Sequence, residues 1–152
     1  MNVRFAKDND ITDILILGEK FFDLAKWPRY AEWDKNSVFT TLTSLINGKL
    51  NGILLVGEVD NKVVGMSAAL IFPFYFNFNI LVGQEIFWYV EDEFRNSGIG
   101  AGMMQKLEQE SKLRGASVFI ISSVSGLRDK ALARLYSGLG YGLGENTFIK
   151  RL

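Results

Sequence analysis

A glycine-rich turn lies past the middle of the chain, Arg95-Asn96-Ser97-Gly98-Ile99-Gly100-Ala101-Gly102. It follows an apolar run that ends at Val90 and precedes apolar residues at helical spacing, so the pattern predicts strand, turn and helix. The first turn of a helix presents backbone N–H groups without intrahelical acceptors and the positive end of the helix dipole. Because glycine has no Cβ, an anion can approach closely at Gly98 and Gly100. The turn is therefore a candidate phosphate site.

The turn matches neither of two common nucleotide-binding motifs. The dinucleotide fingerprint needs a third glycine and a following acidic residue in a βαβ unit, and the P-loop needs Gly-Lys-Ser/Thr. Neither pattern is present at residues 95–102. A tight turn without a ligand is the alternative interpretation of these glycines taken alone.

The composition narrows the chemistry that the chain can perform. Its 152 residues fit a single domain, residues 1–152. The 17 basic and 17 acidic side chains cancel, and no basic stripe indicates a nucleic-acid partner. The absence of Cys and His excludes thiolate nucleophiles, Cys/His zinc sites and Ser-His pairs. Acid–base chemistry must come from Glu, Asp, Tyr, Lys or the backbone.

The hydropathy pattern predicts a cytoplasmic protein without a membrane partner. The N-terminal residues lack an apolar run of signal-peptide length. No segment approaches the roughly 18 uninterrupted apolar residues that a membrane-spanning helix requires.

Hydrophobic periodicity predicts a mixed α/β domain. The predicted strands are at residues 3–6, 53–56, 62–71, 80–90, 117–123 and 148–149, and the predicted helices at 11–24, 38–46, 99–114 and 131–139. The expected caps and turns are Asp8 or Asp10 for the first helix, Asn36 or Ser37 and then Gly48 for the second, and the Asp60-Asn61 hairpin turn. Two strand–helix–strand passages, ending at Ser117 and near Phe148, predict some parallel pairing with right-handed crossovers.

Two motifs resemble those of the GNAT superfamily of N-acetyltransferases. The Arg-x-x-Gly-x-Gly turn resembles the family's pyrophosphate-binding motif, and residues 133–141 resemble its x-x-L-Y-x-x-x-G-F signature, with Leu135 and Tyr136 in place. Arg95 and Tyr136 are 41 residues apart (136 − 95), a usual separation in the family. The element order matches over essentially the whole chain. Residues 87–90 are also similar to acetyltransferase-like proteins encoded by phages.

The resemblance implies a fold and a cofactor. The expected fold is a mixed, mostly antiparallel sheet of six or seven strands flanked by four helices, with a V-shaped splay between the two central strands. The expected cofactor is acetyl-CoA. Residues implied to contact it are the backbone of Trp88, Tyr89 and Val90 along the pantetheine arm, then Arg95, Asn96, Ser97, Gly98, Ile99, Gly100 and Ala101 at the pyrophosphate, and Asp129 where the family often has Asn.

The resemblance also implies a catalytic tyrosine, whereas the general base stays open. Tyr136 matches the residue that commonly protonates the leaving thiolate. The family's frequent glutamate positions fall on Gln84 or Ile86, which cannot act as bases. Strict alternation places Glu85, the nearest carboxylate, on the face of Phe87 and Tyr89, opposite Gln84, Ile86 and Trp88. A water relay, Glu32 and Asp34 are the alternatives to Glu85.

These residues predict an N-acetyltransferase that transfers an acetyl group from acetyl-CoA to a primary amine, carried by a small molecule or a protein. Because the chain has no Cys, direct attack in a ternary complex is the natural mechanism. The alternative is a non-catalytic acyl-CoA-binding domain with a sensing or assembly role.

Two aromatic segments have open roles. Within residues 72–78, Phe74, Phe76 and Phe78 alternate with other residues, which fits an ordinary strand, a lining of the acceptor site or the seam of a homodimer. A second set falls near the family's acceptor-side loop and fits either a pocket wall or simple packing: Trp27, Tyr30 and Trp33.

Overall fold

A computed structural model describes residues 1–126 and 129–152, without the side chain of Asp129. In this part of the chain the sheet has five strands, in the order β1 Asn2–Phe5, β2 Gly52–Val59, β3 Lys62–Phe74, β4 Asn77–Val90 and β5 Ala116–Ile120. Neighbours from β1 to β4 pair antiparallel, and β4 pairs parallel with β5. The four α-helices are α1 Ile11–Leu24, α2 Lys35–Ile46, α3 Ile99–Leu113 and α4 Asp129–Gly138. The predicted mixed α/β class is confirmed.

The two faces of the sheet carry separate cores. On one face α1 and α2 cover a cluster that contains Leu54, Met66 and Ala68. On the other face α3 packs through Leu107 against the β2 and β3 residues that alternate with those, such as Leu55 and Ala69. These are called the α1–α2 face and the α3 face below. Because successive strand side chains point to opposite faces, β2 and β3 contribute apolar side chains to both cores.

Local signals at the chain turns are largely as predicted. Asp60 and Asn61 have φ angles of 49° and 61°, the left-handed pair that a two-residue hairpin turn requires. The cap of α2 is Asp34, whose Oδ1 accepts a hydrogen bond from the Ser37 N–H at 2.9 Å, so the prediction of Asn36 or Ser37 is wrong. A carboxylate three residues before a free helix N–H satisfies it better than an exposed side chain inside the first turn.

Asp10 stands at the cap position of α1, but its carboxylate has other partners. It accepts hydrogen bonds from Arg4 Nη1 and from the Lys7 N–H, both at 2.7 Å. Arg4 also binds Glu58 on β2 at 2.7 Å. The Arg4 guanidinium holds the pKa of the Asp10 carboxyl below its ordinary value. This network ties β1 and β2 to the start of α1.

The predicted last strand and the strand count of six or seven are wrong. Residues 141–152 form no helix or strand, and Phe148 is 93% exposed. Gly142 and Gly144 interrupt this segment, and glycine weakens strand pairing because it loses more backbone entropy and offers no side chain to pack. As a result β5 is an edge strand, and the second predicted parallel crossover is not formed.

The strand separation lies beside this edge rather than between two central strands. Pairing of β4 with β5 ends at Gln84 and Ile120, although β4 continues to Val90. A gap therefore opens between the second half of β4 and the chain that follows β5.

None of the helices in the described part of the protein has the length and apolar character of a membrane span.

Candidate active site

The glycine turn forms the N-terminus of α3. Gly98 occupies the cap position with a φ angle of +87°, and a Cβ added there would meet no atom within 4 Å. The space above it is therefore open to a ligand. By contrast, a Cβ on Gly100 would lie 3.3 Å from the Trp88 indole, so this glycine lets the helix pack closely on β4. The two glycines of the motif serve different physical needs.

The donors around this turn are only partly used by the protein itself. Ser97 Oγ accepts a hydrogen bond from the Ile99 N–H at 3.3 Å and donates one to the Phe94 carbonyl at 2.7 Å. The N–H groups of Gly100 and Ala101 belong to the first helical turn, where intrahelical acceptors are missing. Ile99 is only 1% exposed and its N–H is already bonded, so it is poorly placed to contact a ligand. Asn96, Ser97 and Gly98 lie at the surface.

Arg95 is fixed beside the turn. Its Nε donates to the Val90 carbonyl at 3.2 Å, its Nη2 pairs with the exposed Asp92 carboxylate, and its guanidinium lies 5.8 Å from the centre of the Tyr89 ring. These contacts hold a positive charge near the helix N-terminus. The Asp92 carboxylate pairs with the Arg95 guanidinium but is largely exposed to water. An incoming phosphate would compete with this carboxylate for the guanidinium.

A β-bulge at Ile86 determines which side chains reach the gap. Ala68 pairs with Phe87, whereas the next residue, Ala69, pairs with Glu85, which leaves Ile86 as the extra residue. Ala69 belongs to the α3 face, so Glu85 points to that face. A bulge shifts the side-chain alternation by one residue.

The expectation from strict alternation is therefore wrong for this strand. Phe87 and Tyr89 pack in the α1–α2 core, whereas Glu85 lies on the α3 face together with Trp88.

Trp88, Tyr89 and Val90 line the unpaired half of β4. Beyond Gln84 the edge of β4 that faces away from β3 has no strand beside it in the described structure. The Trp88 Nε1 is buried and has no hydrogen-bond partner among the described residues. The Tyr89 hydroxyl donates to Glu91 Oε2 at 3.3 Å. The Val90 carbonyl already accepts from Arg95, so it is the least available of the three predicted backbone contacts.

Glu85 and Tyr136 meet around the backbone of Ser122. Glu85 Oε2 accepts a hydrogen bond from the Ser122 N–H at 3.3 Å, and the Tyr136 hydroxyl donates to the Ser122 carbonyl at 3.3 Å. The two side chains come from β4 and α4, and Ser122 follows β5 by two residues. The cluster therefore spans the gap at the point where the strands separate.

The surroundings of Glu85 and Tyr136 raise the pKa values of both side chains. Burial raises the pKa of Glu85 to about 7, and the Ser122 N–H offsets this in part. Burial, together with the nearby Glu85 charge, raises the pKa of Tyr136 above its ordinary value. Glu85 can thus exchange a proton near neutral pH, whereas the Tyr136 phenol stays protonated and acts as a donor.

The other predicted residues are less well placed. Asp34 is committed to capping α2, and Glu32 is an exposed residue of the same loop. Trp33 packs edge-on against Phe22 with ring centres 5.5 Å apart, which favours the packing interpretation for this residue. The predicted cofactor contact at Asp129 lies outside the described side chains.

The aromatic segment lies at the opposite end of β4 from the glycine turn. Tyr75 and Phe76 form the β3–β4 turn and Phe78 follows it, with exposures of 65%, 79% and 77%. The turn breaks the predicted alternation of phenylalanines on one face. About seven strand residues separate Phe78 from Glu85, which is roughly 23 Å at the usual rise per residue. This distance argues against the aromatic side chains lining the acceptor site.

Sequence reasoning missed the role of Ser122. Ser122 contributes its backbone N–H and carbonyl, and because almost every residue carries these groups, the residue type does not indicate the role. A sequence signal existed only for its partners, Glu85 and Tyr136.

The glycine turn, the gap beside β4 and the position of Tyr136 are features that the chain shares with a known protein family. The sequence model of the acetyltransferase (GNAT) family matches residues 18–141. This chain belongs to the GNAT family. No curated protein is significantly similar to this chain in sequence.

Solved structures share the fold of this GNAT protein over nearly their full length. An aminoglycoside antibiotic 6'-N-acetyltransferase from Acinetobacter haemolyticus is 20% identical with a TM-score of 0.72, covering 100% of this chain and 99% of that chain. A predicted acetyltransferase with acetyl-CoA from Clostridium acetobutylicum is 18% identical with a TM-score of 0.76, covering 99% of this chain and 95% of that chain. An aminoglycoside acetyltransferase from an uncultured soil metagenomic sample, in complex with sisomicin, is 17% identical with a TM-score of 0.74, covering 99% of this chain and 95% of that chain.

At these identities the structural likeness shows the fold alone. The similarity of residues 87–90 to phage-encoded proteins is tested by none of these matches and stays a prediction.

Proposed function

We propose that this GNAT protein transfers an acetyl group from acetyl-CoA to a primary amine by direct attack in a ternary complex. The observation that carries the proposal is the convergence of Glu85 and Tyr136 on Ser122, at the mouth of a gap that leads to the glycine turn. A small-molecule or protein amine is the proposed acceptor.

The residues around the gap fit coenzyme A. The open space above Gly98 and the unpaired N–H groups of the first turn of α3 suit a pyrophosphate. The free edge of β4 can pair with an extended, amide-containing arm such as pantetheine. When bound, acetyl-CoA supplies the acetyl group as an activated thioester.

Glu85 serves as the general base in this proposal. An alkylamine with a pKa of ~10.4 is about three pK units from its nucleophilic neutral form at neutral pH, so loss of its proton costs roughly 4 kcal/mol. A carboxylate whose pKa is about 7 can accept that proton near neutral pH, directly or through one water molecule. Ser122 orients it by donating its N–H to Oε2.

Tyr136 serves as the proton donor to the leaving sulfur. Its hydroxyl points at the gap, and its raised pKa keeps the phenol protonated over the working range. Tyr141, whose hydroxyl donates to Glu108 Oε2 at 2.8 Å, is a nearby tyrosine outside this arrangement. It is the natural control.

The test follows the release of free thiol from acetyl-CoA over a panel of primary amines. Because the protein contains no Cys, the entire thiol signal comes from the coenzyme. We expect amine-dependent release that Tyr136→Phe lowers and Tyr141→Phe leaves within about twofold. Tight acetyl-CoA binding without thiol release for any amine would refute the proposal and support the alternative, a non-catalytic acyl-CoA-binding domain with a sensing or assembly role.

A further inference from the structure

Trp88 carries a buried hydrogen-bond donor that the described part of the protein leaves unused. Its indole Nε1 is shielded from water and has no acceptor among the described residues. Folded proteins seldom leave a buried N–H unpaired, because the group gives up its hydrogen bonds to water and receives none in return. A ligand that brings an acceptor to this point would supply the missing hydrogen bond.

The indole lies against the first turn of α3. The bulge at Ile86 turns the side chain to the α3 face, and Trp88 lies beyond Gln84, where β5 no longer pairs with β4. A Cβ on Gly100 would lie 3.3 Å from Cζ2 of the indole and 3.8 Å from Cε2. Because Cε2 is bonded to Nε1, the N–H lies on the part of the ring that is nearest the glycine turn.

Three N–H donors therefore meet at this turn. Two are the backbone groups of Gly100 and Ala101, which lack intrahelical acceptors in the first turn of α3, and the third is the Trp88 indole. An amine would only add further donors, whereas an oxygen-rich anion offers acceptors. The positive end of the α3 dipole favours a charged acceptor, such as a diphosphate, over the neutral amide carbonyls of a pantetheine arm.

The contacts of the ring allow it to adjust to such a ligand. Trp88 as a whole is half-buried, and it packs against a cluster that contains Val90, Ile99 and Met103. These contacts are apolar and therefore non-directional. A small rotation of the indole toward a bound oxygen breaks no hydrogen bond, so the missing bond can form without disturbing others.

Ser67 is the rival acceptor within the protein. It pairs with Trp88 across β3 and β4, and its side chain points to the α3 face because its neighbours Met66 and Ala68 pack in the α1–α2 core. Its Oγ is also buried without a partner among the described residues. Although the two residues lie opposite each other, the structure does not form a hydrogen bond between them. Such a bond would satisfy both groups and leave the coenzyme no role.

We propose that the Trp88 indole N–H donates a hydrogen bond to a diphosphate oxygen of the coenzyme, beside the backbone N–H groups of Gly100 and Ala101. The inference rests on the proposed function and adds a side-chain contact to the backbone contact already predicted for Trp88. The backbone of this residue follows the pantetheine arm, while its side chain holds the diphosphate.

The first experiment follows the indole N–H signals of nitrogen-labelled protein by NMR as CoA is added. The chain contains three Trp residues, so Trp88→Phe identifies the signal of Trp88 by its loss. Bound CoA should move this signal downfield, as a new hydrogen bond to a phosphate oxygen requires, and should leave the signals of Trp27 and Trp33 nearly in place. CoA that binds by calorimetry without moving the Trp88 signal overturns the inference and leaves the proposed acetyl transfer standing.

Phosphorus NMR of bound CoA tests which part of the coenzyme accepts the hydrogen bond. Trp88→Phe should move the diphosphate signals and leave the signal of the separate ribose phosphate in place, because Phe keeps an aromatic ring but lacks the donor. The same variant should raise the CoA Kd about tenfold, as expected for a lost hydrogen bond to a charged group. Trp27→Phe is the matched control and should keep the Kd, because Trp27 lies beyond the end of α1 and is 37% exposed. Unchanged diphosphate signals or an unchanged Kd in Trp88→Phe would overturn the assignment.

Ser67→Ala distinguishes the coenzyme from the rival acceptor. The variant should leave the Trp88 signal of the free protein in place and should preserve its response to CoA. A shift of this signal in the free variant, combined with no response to CoA in the unsubstituted protein, would assign the donor to Ser67 and overturn the inference. Absence of thiol release with every amine is a separate result, which refutes the proposed acetyl transfer while the Trp88 signal still reports on CoA binding.

Discussion

The two ends of β4 are equally conspicuous in sequence and opposite in physical character. At the carboxyl end, the strand loses its β5 partner, carries a buried carboxyl at Glu85 and leads into the open helix N-terminus at Gly98. At the amino end, the β3–β4 turn exposes the rings of Tyr75 and Phe76 to solvent. An unusual run of residues thus indicates a site only where backbone donors and a titratable group converge on it.

The largest effect should come from Gly98→Glu at the carboxyl end. The new side chain would strain a backbone with a φ of +87° and place bulk and negative charge in the phosphate space. We expect no measurable acetyl-CoA binding by calorimetry. Gly48→Glu is the matched control, because Gly48 also has a positive φ of 76° and open space around it but lies at the end of α2. Similar losses of affinity in both variants would remove the distinction between a site and a strained turn.

Glu85→Gln should lower kcat about 10²- to 10³-fold, the usual contribution of a general base. In the unsubstituted protein kcat/KM should rise up to about pH 7 and then level off, because the base must lose its proton, whereas in the variant it should keep rising with the neutral fraction of the amine. Rate measurements from pH 5.5 to 8.5 check both expectations. A variant that keeps the same pH dependence would place the base elsewhere.

The same substitution should stabilise the fold above pH 7. Burial raises the pKa of Glu85 from 4.5 to about 7, so the folded state favours the neutral form. Its favourable contribution is fully present below about pH 4.5 and is lost as pH rises through 7, at a cost of up to about 3 kcal/mol. Urea unfolding at pH 8 should therefore show Glu85→Gln to be more stable than the unsubstituted protein, with little difference at pH 4.5. A destabilised variant at pH 8 would contradict the buried-carboxyl assignment.

Tyr136→Phe should lower kcat about tenfold and leave the acetyl-CoA Kd unchanged, since it removes only the hydroxyl directed at Ser122. Steady-state rates and calorimetry separate the two quantities. An equal loss in Tyr141→Phe would show that packing of the two rings, whose centres are 6.0 Å apart, matters rather than proton donation.

The smallest effect on catalysis should come from the amino end of β4. Because its ring lies far from the gap and is 79% exposed, Phe76→Ser should change kcat and the acetyl-CoA Kd by less than about twofold. Light scattering should show whether loss of the ring alters self-association, which checks the predicted dimer seam. A large loss of acetyl-CoA affinity would break the contrast between the two ends.

Much of this protein was determined by its sequence alone. The spacing of Ile11, Ile14 and Leu17 specified α1, and the Asp60-Asn61 pair specified the hairpin, because helix periodicity and left-handed turn preferences are local properties. The glycine turn was likewise visible, because glycines placed between a strand and helical spacing form a local pattern.

The tertiary structure decided what local patterns could not. The side on which Glu85 lies depends on a single-residue bulge at Ile86, and a bulge exists only relative to the partner strand β3. The pKa of Glu85 depends on burial, and its link to Tyr136 passes through the backbone of Ser122. The absent last strand has the same cause: strand pairing is a non-local property, and two apolar residues in a glycine-interrupted segment do not specify it.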